Sequence, residues 1–174
     1  MESVSPASTS RRHALLGVLS ASLLAACSGP RPASPPLSAP SAERPPADHP
    51  PDAASMEVIL HAMSLVDTPY RFGGNTPQGG FDCSGLIGYV FRASGGRAMP
   101  RTVAQLAEIG RDVPRGSLRG ADLVFFDTLG PLTHAGIYVG GGRFVHAPSS
   151  GGRVRLDHLE ARYWAQRFSF ARRV

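Results

Sequence analysis

The apolar residues of this chain change their spacing about halfway along its length, and this change restricts the fold more than any other feature. Between residues 56 and 109 they recur every three to four positions, as on one face of a helix. Beyond residue 123 they form short runs or alternate with other residues, as in strands. Helices are predicted over 56–67, from 83 to the Gly95-Gly96 pair and over 102–109; strands are predicted over 123–126, 134–139, around 144–146, over 153–156 and 168–172, with a helical piece around 156–164. Helices followed by an antiparallel meander predict an α+β fold.

Proline separates a part of the chain that can build a core from a part that cannot. Nine of the sixteen prolines lie between residues 30 and 51, among alanine, serine and a few charges. This composition favours extended chain and supplies no apolar core. Residues 27–55 are therefore predicted to be a tether, and residues 56–174 have the length of one ordinary domain.

Residues 1–26 are predicted to be an export signal. Arg11 and Arg12 precede an uncharged stretch over 14–26, which is too short to span a bilayer but fits the hydrophobic region of a signal peptide. Sec and twin-arginine export both stay open. The stretch ends in Leu-Ala-Ala-Cys, which resembles a bacterial lipobox, so Cys27 is expected to carry acyl chains such as palmitate. The alternative is an ordinary cleavage site followed by a chance cysteine.

Lipidation at Cys27 would hold the protein on a membrane without a spanning helix. By resemblance to bacterial lipoproteins, Ser28 at the next position favours sorting to an outer membrane. The expected location is the cell envelope, on the outer membrane and facing the periplasm.

The basic charge of the chain is all arginine, because the sequence has no lysine. From residue 56 onward, fourteen arginines against nine acidic residues give a net charge of +5 with neutral histidines. Such a balance is compatible with an anionic partner. No basic run or arginine–aromatic repeat occurs, so nucleic acid is not an expected partner, whereas an anionic cell-wall polymer is a possible one.

A single cysteine stands where a nucleophile would be expected. The sequence GFDCSGLI places Cys83 after a glycine-rich turn and at the start of a predicted helix. If Cys27 is acylated, Cys83 has no disulfide partner in the chain, and a lone thiol in an exported protein is either buried and inert or reactive. A helix N-terminus and a nearby imidazolium would both lower the pKa of the thiol, so a thiolate is expected.

Two histidines lie on the strands of a predicted hairpin. With a three-residue turn at 140–142, Gly136 pairs with His146, and His134 lies one diagonal step away on the same face. Gly136 leaves room for the two rings. A two-residue turn would instead place the two histidines on opposite faces. His134 is the expected base for the thiol, and His146 is expected to orient it.

The motifs together resemble one family. The matching stretches are TPYRFGG, GFDCSGLI, MPRTVAQL, GADLVFF, THAGIYVG and RFVHAPSSG, in this order from about residue 66 to the chain end. They are similar to the NlpC-type papain-like peptidases that trim bacterial cell walls, and the chain end RYWAQRFSFARRV is similar to outer-membrane murein endopeptidase lipoproteins of the Spr type. The resemblance implies a papain-like core, helices packed on a central antiparallel sheet, and a catalytic triad of Cys83, His134 and His146.

The same resemblance implies residues that bind substrate. Tyr70 is expected beside the thiol, Asp82 and Ser84 are expected to line the pocket, and Arg101 is expected to contact a substrate carboxylate. The family usually has Gly-Asp where this chain has Ala121 before an aspartate. That exchange should matter little unless the position needs a positive φ.

The implied activity is thiol hydrolysis of peptidoglycan beside diaminopimelate, without metal or cofactor. The target is either the D-alanyl–diaminopimelate crosslink, which the Spr resemblance favours, or the γ-D-glutamyl–diaminopimelate bond. A regulatory adaptor is possible. Three alternatives remain: a zinc site, since Cys and His are zinc ligands although no closely spaced pair occurs; a non-catalytic wall-binding or scaffold lipoprotein; and an amidase or acyltransferase with the same triad.

Overall fold

The structure is a computed structural model that describes residues 50–150 and 152–174. The predicted signal peptide, the lipidation site at Cys27 and most of the predicted tether therefore lie outside the described residues. Of the helices that are described, none is long and apolar enough to cross a membrane.

Four α-helices, one 3₁₀ turn and eight strands make up the described part of the chain. In chain order they are α1 (Ala53–Ser64), β1 (Asn75–Thr76), β2 (Gly80–Phe81), α2 (Cys83–Gly95), α3 (Val103–Ala107), β3 (Arg111–Asp112), the 3₁₀ turn (Arg115–Ser117), β4 (Leu123–Phe126), β5 (His134–Gly140), β6 (Arg143–His146), β7 (Arg155–His158), α4 (Arg162–Ala165) and β8 (Phe168–Arg173). Strands β1 and β2 form a small hairpin, and the other six form an antiparallel sheet in the order β3-β8-β4-β5-β6-β7. The predicted α+β class is confirmed.

Side-chain caps set where the helices begin. Asp52 caps α1, since its Oδ1 accepts a hydrogen bond from the Ser55 amide at 2.7 Å. Thr102 caps α3 in the same way through the Gln105 amide at 3.2 Å. Both caps compensate amides that have no partner within the helix. As a result α1 lies three residues earlier than the predicted 56–67, and α3 is shorter than the predicted 102–109.

The prediction of a helix around 156–164 is wrong for the first half of this segment. Residues Arg155–His158 form strand β7, which pairs with β6, and only Arg162–Ala165 is helical. The pairing of Val145 with Leu156 and of Phe144 with Asp157 gives this segment ladder hydrogen bonds that a helix would forgo. The two-residue strands β1, β2 and β3 were not predicted, because two residues show no periodicity.

The sheet is buried on both faces near its centre, with α1, α2 and α3 on one side and Trp164 of the short helix α4 on the other. On the side of α1 to α3, Phe125, Ala135, Ile137 and Val145 pack with the apolar face of α2. A smaller second cluster covers the other face, and it consists of Val113, Val124, Phe126, Tyr138, Phe144, Leu159, Trp164 and Ala171. The predicted alternation along β5 is confirmed, because Ile137 and Tyr138 point to opposite clusters.

The β5–β6 hairpin places His134 and His146 on the same face, as expected, but its turn differs from the predicted one. Gly140 pairs with Arg143, so the turn has two residues and not the predicted three. A bulge between Tyr138 and Gly140 compensates, because it adds one residue to β5 and brings Ile137 opposite Val145. Gly136 then lies next to His146, and an added Cβ there would lie 2.8 Å from the Phe144 ring. Glycine is needed here because of the Phe144 ring and the Val145 carbonyl oxygen, and not because of the two imidazole rings as predicted.

Ala121 does adopt a positive φ, so the condition attached to the Gly-to-Ala exchange is met. Its φ is 72° at the turn that enters β4. The following residue, Asp122, is buried and accepts hydrogen bonds from Arg173 Nε at 2.7 Å and from the Arg119 amide at 2.7 Å. This ion pair fixes the turn to β8, so the backbone at Ala121 cannot relax.

Candidate active site

Helix α2 begins at the cysteine. Asp82 has extended φ and ψ and caps the helix, since its Oδ1 accepts from the Gly85 amide at 2.7 Å. Cys83 is therefore the first helical residue, as predicted. The loop before it packs against the helix start: Gly74 accepts from the Asp82 amide at 3.1 Å, and a Cβ on Gly85 would clash with the Gly74 carbonyl oxygen. The helix start is thus held at a fixed distance from this loop.

Cys83 lines a cleft of about 510 Å³. Tyr70, Asp82, Ser84, Arg101 and His134 line the same cleft. The structure therefore brings together every predicted site residue of the domain except one. The exception, His146, is fully buried directly behind His134.

Two large apolar side chains border this cleft and are almost fully exposed. Phe72 is 90% exposed and Leu129 is 89% exposed, and both line the cleft. Tyr70 is held beside the thiol, because its amide donates to Gly152 at 2.7 Å and its backbone forms a bridge with Phe81. The cleft thus combines an apolar rim with a polar floor.

The polar floor is an ion pair that the sequence did not predict. Arg101 donates through both terminal nitrogens to Asp82, at 2.8 Å to Oδ1 and 2.7 Å to Oδ2, and donates to Ser84 Oγ at 2.6 Å. Burial opposes ionisation of Asp82, but the Arg101 hydrogen bonds and the Gly85 amide outweigh it and lower the pKa of that carboxyl. The guanidinium predicted to contact substrate is therefore already bonded within the protein.

The two histidines are in direct contact, as predicted. His134 at the start of β5 and His146 at the end of β6 are joined through Nε2 and Nδ1 at 2.8 Å. Burial and the neighbouring His146 lower the pKa of His134 to about 3. Burial also lowers the pKa of His146, although Asp157 opposes this. Both rings are neutral at neutral pH, so His134 is able to accept a proton.

Cys83, His134 and His146 form a row of side chains, and Asp157 is its fourth member. The sequence did not reveal Asp157 as a site residue. Its Oδ2 lies 3.0 Å from His146 Nε2 and accepts hydrogen bonds from Trp164 Nε1 at 2.7 Å and from Arg155 Nε at 3.0 Å. The hydrogen bond with His146 and the one from Trp164 hold the pKa of Asp157 well below its usual range, against the effect of burial. The helix expected around 156–164 concealed it, because only a strand pairing with β6 brings Asp157 to His146.

The expected thiolate is not what the structure favours. Burial and the Asp82 carboxylate raise the pKa of the Cys83 thiol, and the backbone amides of Ala135, Ser84 and Cys83 oppose this without reversing it. With His134 neutral, no imidazolium is present to stabilise a thiolate. The prediction of a lowered thiol pKa is therefore wrong for the resting site. The pKa of Tyr70 is also raised, mainly by burial and to a smaller extent by the nearby Cys83 and Asp82. The Tyr70 phenol therefore stays a hydrogen-bond donor.

Metal ligation can be assessed only for the described residues. Over 50–150 and 152–174, no group of three or more His, Cys, Asp or Glu side chains is arranged to hold a metal ion.

In this protein a cysteine begins a helix and lies in one cleft with a histidine of an antiparallel sheet, and that histidine contacts a second one. This arrangement defines the class of papain-like α+β proteins. Residues 67–173 match the NlpC/P60 family, and the chain belongs to that family.

Relatives and solved structures agree with this membership. Murein DD-endopeptidase MepS/Murein LD-carboxypeptidase of Escherichia coli K12 is 42% identical over 105 residues, 60% of this chain and 55% of the relative. Murein DD-endopeptidase MepH of the same organism is 39% identical over 116 residues, 64% of this chain and 43% of the relative. Gamma-DL-glutamyl hydrolase of Bacillus subtilis is 38% identical over 125 residues, 71% of this chain and 30% of the relative. The matched region thus spans between about a third and about half of the length of these relatives. The NlpC/p60 domain of the peptidoglycan hydrolase SagA has a TM-score of 0.61 and 28% identity, covering 69% of this chain and 98% of that domain.

Proposed function

We propose that this protein is a peptidoglycan endopeptidase that uses Cys83 as its nucleophile. The observation that carries the proposal is the arrangement of Cys83 and His134 in one cleft, with His146 bonded behind His134 at 2.8 Å. Nucleophile, base and orienting group in this order are the parts of a thiol hydrolase. The names of the relatives MepS and MepH support a peptide bond of murein as the target.

The proposed reaction passes through a thioester. Cys83 Sγ attacks the carbonyl carbon while His134 takes the thiol proton, and the resulting oxyanion accepts hydrogen bonds from the Cys83 amide and the Tyr70 hydroxyl. His134 then gives its proton to the departing amine, which breaks the C–N bond. Water attacks the thioester with His134 again as base, releasing the carboxylic acid and the free thiol.

The substrate-binding roles of the polar floor follow from its charges. Asp82 is ionised, so it offers an acceptor for a positively charged amine of a stem peptide, and Ser84 lies next to it. Arg101 holds Asp82 in place and is half-exposed at 44%, so the side of its guanidinium that faces the cleft can also receive a substrate carboxylate. Phe72 and Leu129 would contact the apolar parts of the peptide at the rim.

The proposed bond is the D-alanyl–diaminopimelate crosslink, which the DD-endopeptidase names of MepS and MepH support. The γ-D-glutamyl–diaminopimelate bond is the second candidate, because Gamma-DL-glutamyl hydrolase is also similar. The proposed location is the cell envelope, through a lipid anchor on Cys27 at an outer membrane, and its support is the sequence Leu-Ala-Ala-Cys before Ser28.

A digest of purified sacculi tests the proposal. The protein and its Cys83→Ser variant are incubated with sacculi, and the soluble products are identified by mass; thermal melting verifies that the variant is folded. We expect wild type to convert crosslinked dimers to monomers and the variant to release almost no monomer, because a hydroxyl is a much weaker nucleophile than a thiol at neutral pH. Shortened stems instead of lost dimers would move the specificity to the γ-D-glutamyl bond. Peptide-free glycan would indicate an amidase, and folded wild type that binds sacculi without products would overturn the enzyme proposal.

A further inference from the structure

The row of side chains behind the thiol does not end at His146. Its last member, Asp157, has no part in the reaction as proposed above, yet its Oδ2 is in hydrogen-bond contact with three nitrogens: His146 Nε2, Trp164 Nε1 and Arg155 Nε. His146 is fully buried, whereas the Asp157 side chain is 23% exposed. The row therefore runs from the cleft, through two buried imidazoles, to a carboxylate at the far side.

The chemistry of each group along this row decides where the protons are. An ionised carboxylate only accepts hydrogen bonds, so His146 must carry its proton on Nε2 to donate to Asp157. In a neutral ring the other nitrogen, His146 Nδ1, is then an acceptor. The partner of His146 Nδ1 is His134 Nε2 at 2.8 Å, which must therefore be the protonated nitrogen of His134. The nitrogen of His134 that is left with a free lone pair is Nδ1.

We propose that Asp157 is a positioning residue that fixes the tautomers of both histidines and so presents the unprotonated Nδ1 of His134 to the thiol of Cys83. Among the described residues, Asp157 is the acceptor in contact with His146 Nε2, so without it none of them selects one of the two neutral tautomers of His146. With the other tautomer, His146 Nδ1–H would face His134 Nε2, and the proton of His134 would move to Nδ1. That nitrogen could then no longer accept the thiol proton.

Trp164 supports the same role through packing. Its indole ring lies 4.8 Å from the His146 ring and 5.6 Å from the His134 ring, nearly parallel to the latter. The side chain that donates to Asp157 at 2.7 Å therefore also limits rotation of both imidazoles. The packing thereby fixes which nitrogen of each imidazole faces which partner, since a flipped ring would exchange the two nitrogens.

The tautomers can be measured directly in protein with ¹⁵N-labelled histidine, because protonated and unprotonated ring nitrogens have widely separated ¹⁵N chemical shifts. Signals are assigned with His134→Gln and His146→Gln variants. We expect the Nε2–H form for both residues in wild type. In Asp157→Asn, whose amide can donate to His146 Nε2, we expect His146 to shift toward the Nδ1–H form. Asp112→Asn, at an exposed carboxylate on the sheet edge, should leave both signals unchanged.

The kinetic part of the test rests on the proposed function, and the spectroscopic part does not. For Asp157→Asn we expect kcat on muropeptides to fall about 10- to 100-fold, the loss that follows removal of the partner that orients a metal-ligating histidine, with KM unchanged. An Nδ1–H form of either histidine in wild type would overturn the inference even if the variant does not fold. Unchanged tautomers and unchanged kcat in a folded Asp157→Asn protein would overturn it as well. Absence of muropeptide hydrolysis by wild type would count against the proposed function alone, since the tautomers are measured without substrate.

Discussion

At the scale of single residues, the resting site combines a neutral thiol with a neutral imidazole. Burial raises the pKa of Cys83 and lowers the pKa of His134, because burial disfavours the charged form of each side chain. Asp82, next to the cysteine, adds a negative charge that opposes a thiolate. Proton transfer to His134 is therefore expected to accompany attack on the substrate and not to precede it.

The pH dependence of thiol alkylation tests this assignment. We expect the rate of Cys83 alkylation by iodoacetamide to rise with an apparent pKa above the ordinary thiol value of about 8.5. Asp82→Asn should shift the profile to lower pH, because it removes a charge that raises the thiol pKa, and Asp112→Asn should not shift it. Rates are measured by intact mass between pH 5 and 10. A plateau already reached below pH 7 would indicate a preformed thiolate–imidazolium pair and contradict the assignment.

The residues that sequence reasoning found are those whose position follows from local pattern. Cys83 begins a helix, and His134 and His146 lie on a hairpin, so short-range periodicity brings them into view. Asp157 was missed, and the bond of Arg101 to Asp82 was not predicted, because both depend on contacts that no local pattern shows. The contact of Asp157 with His146 depends on the register of β7 on β6, and the bond of Arg101 to Asp82 spans 19 positions along the chain.

At the scale of elements, the β5–β6 hairpin shows that a correct register can follow from a wrong turn. Gly141 and Gly142 have φ values of 59° and 71°, which suits the two-residue turns that match strand twist. Such a turn alone would place His134 and His146 on opposite faces. The bulge at the end of β5 adds one residue and restores the shared face. A bulge has no sequence pattern of its own here, so the sequence could predict the parity but not its cause.

The turn that enters β4 is strained at Ala121, and relieving it should stabilise the protein. A non-glycine residue in the left-handed region costs about 1–2 kcal/mol, and φ at Ala121 is 72°. We expect Ala121→Gly to raise the free energy of unfolding by about 1 kcal/mol, measured by urea denaturation. The matched control is Ala93→Gly on the exposed side of α2, which should lower it by about 0.5–1 kcal/mol. Equal losses in both variants would show that the Ala121 turn is unstrained.

At the scale of the whole molecule, the buried histidines make the fold sensitive to mild acid. The pKa of His134 is about 3 in the folded protein and about 6.5 in an unfolded chain, so between these values the unfolded state binds more protons. Stability therefore falls as pH decreases from 6.5. The carboxyls of Asp82 and Asp157, whose pKa values are lowered, lose their contribution only below about pH 4.

Unfolding measured between pH 7 and pH 4 isolates the histidine contribution. We expect the free energy of unfolding to decrease with falling pH, with His134 alone contributing a slope of at most about 1.4 kcal/mol per pH unit. His134→Gln should make the dependence shallower, and Asp112→Asn should keep the wild-type slope. Urea denaturation at half-unit steps gives the slopes. A constant free energy over this range would mean that the histidines are not held neutral in the folded protein.

The sheet as a whole was only partly predictable from the sequence. The α+β class and the central strands follow from the change in apolar spacing. The strand order β3-β8-β4-β5-β6-β7 does not, because the last strand, Phe168–Arg173, inserts between β3 and β4, which lie far from it in sequence. The ion pair of Arg173 with Asp122 marks this insertion, and its partners are 51 positions apart.

The most direct test of the central claim is capture of the thioester on Cys83. The protein is mixed with a purified crosslinked muropeptide dimer and quenched in acid at short times, and intact and peptide masses are measured. We expect an adduct with the mass of the acyl half of the dimer, located on the peptide that contains Cys83, which decays as product forms and is absent from Cys83→Ser. Product release at the wild-type rate from Cys83→Ser, or from protein alkylated at Cys83, would contradict the account.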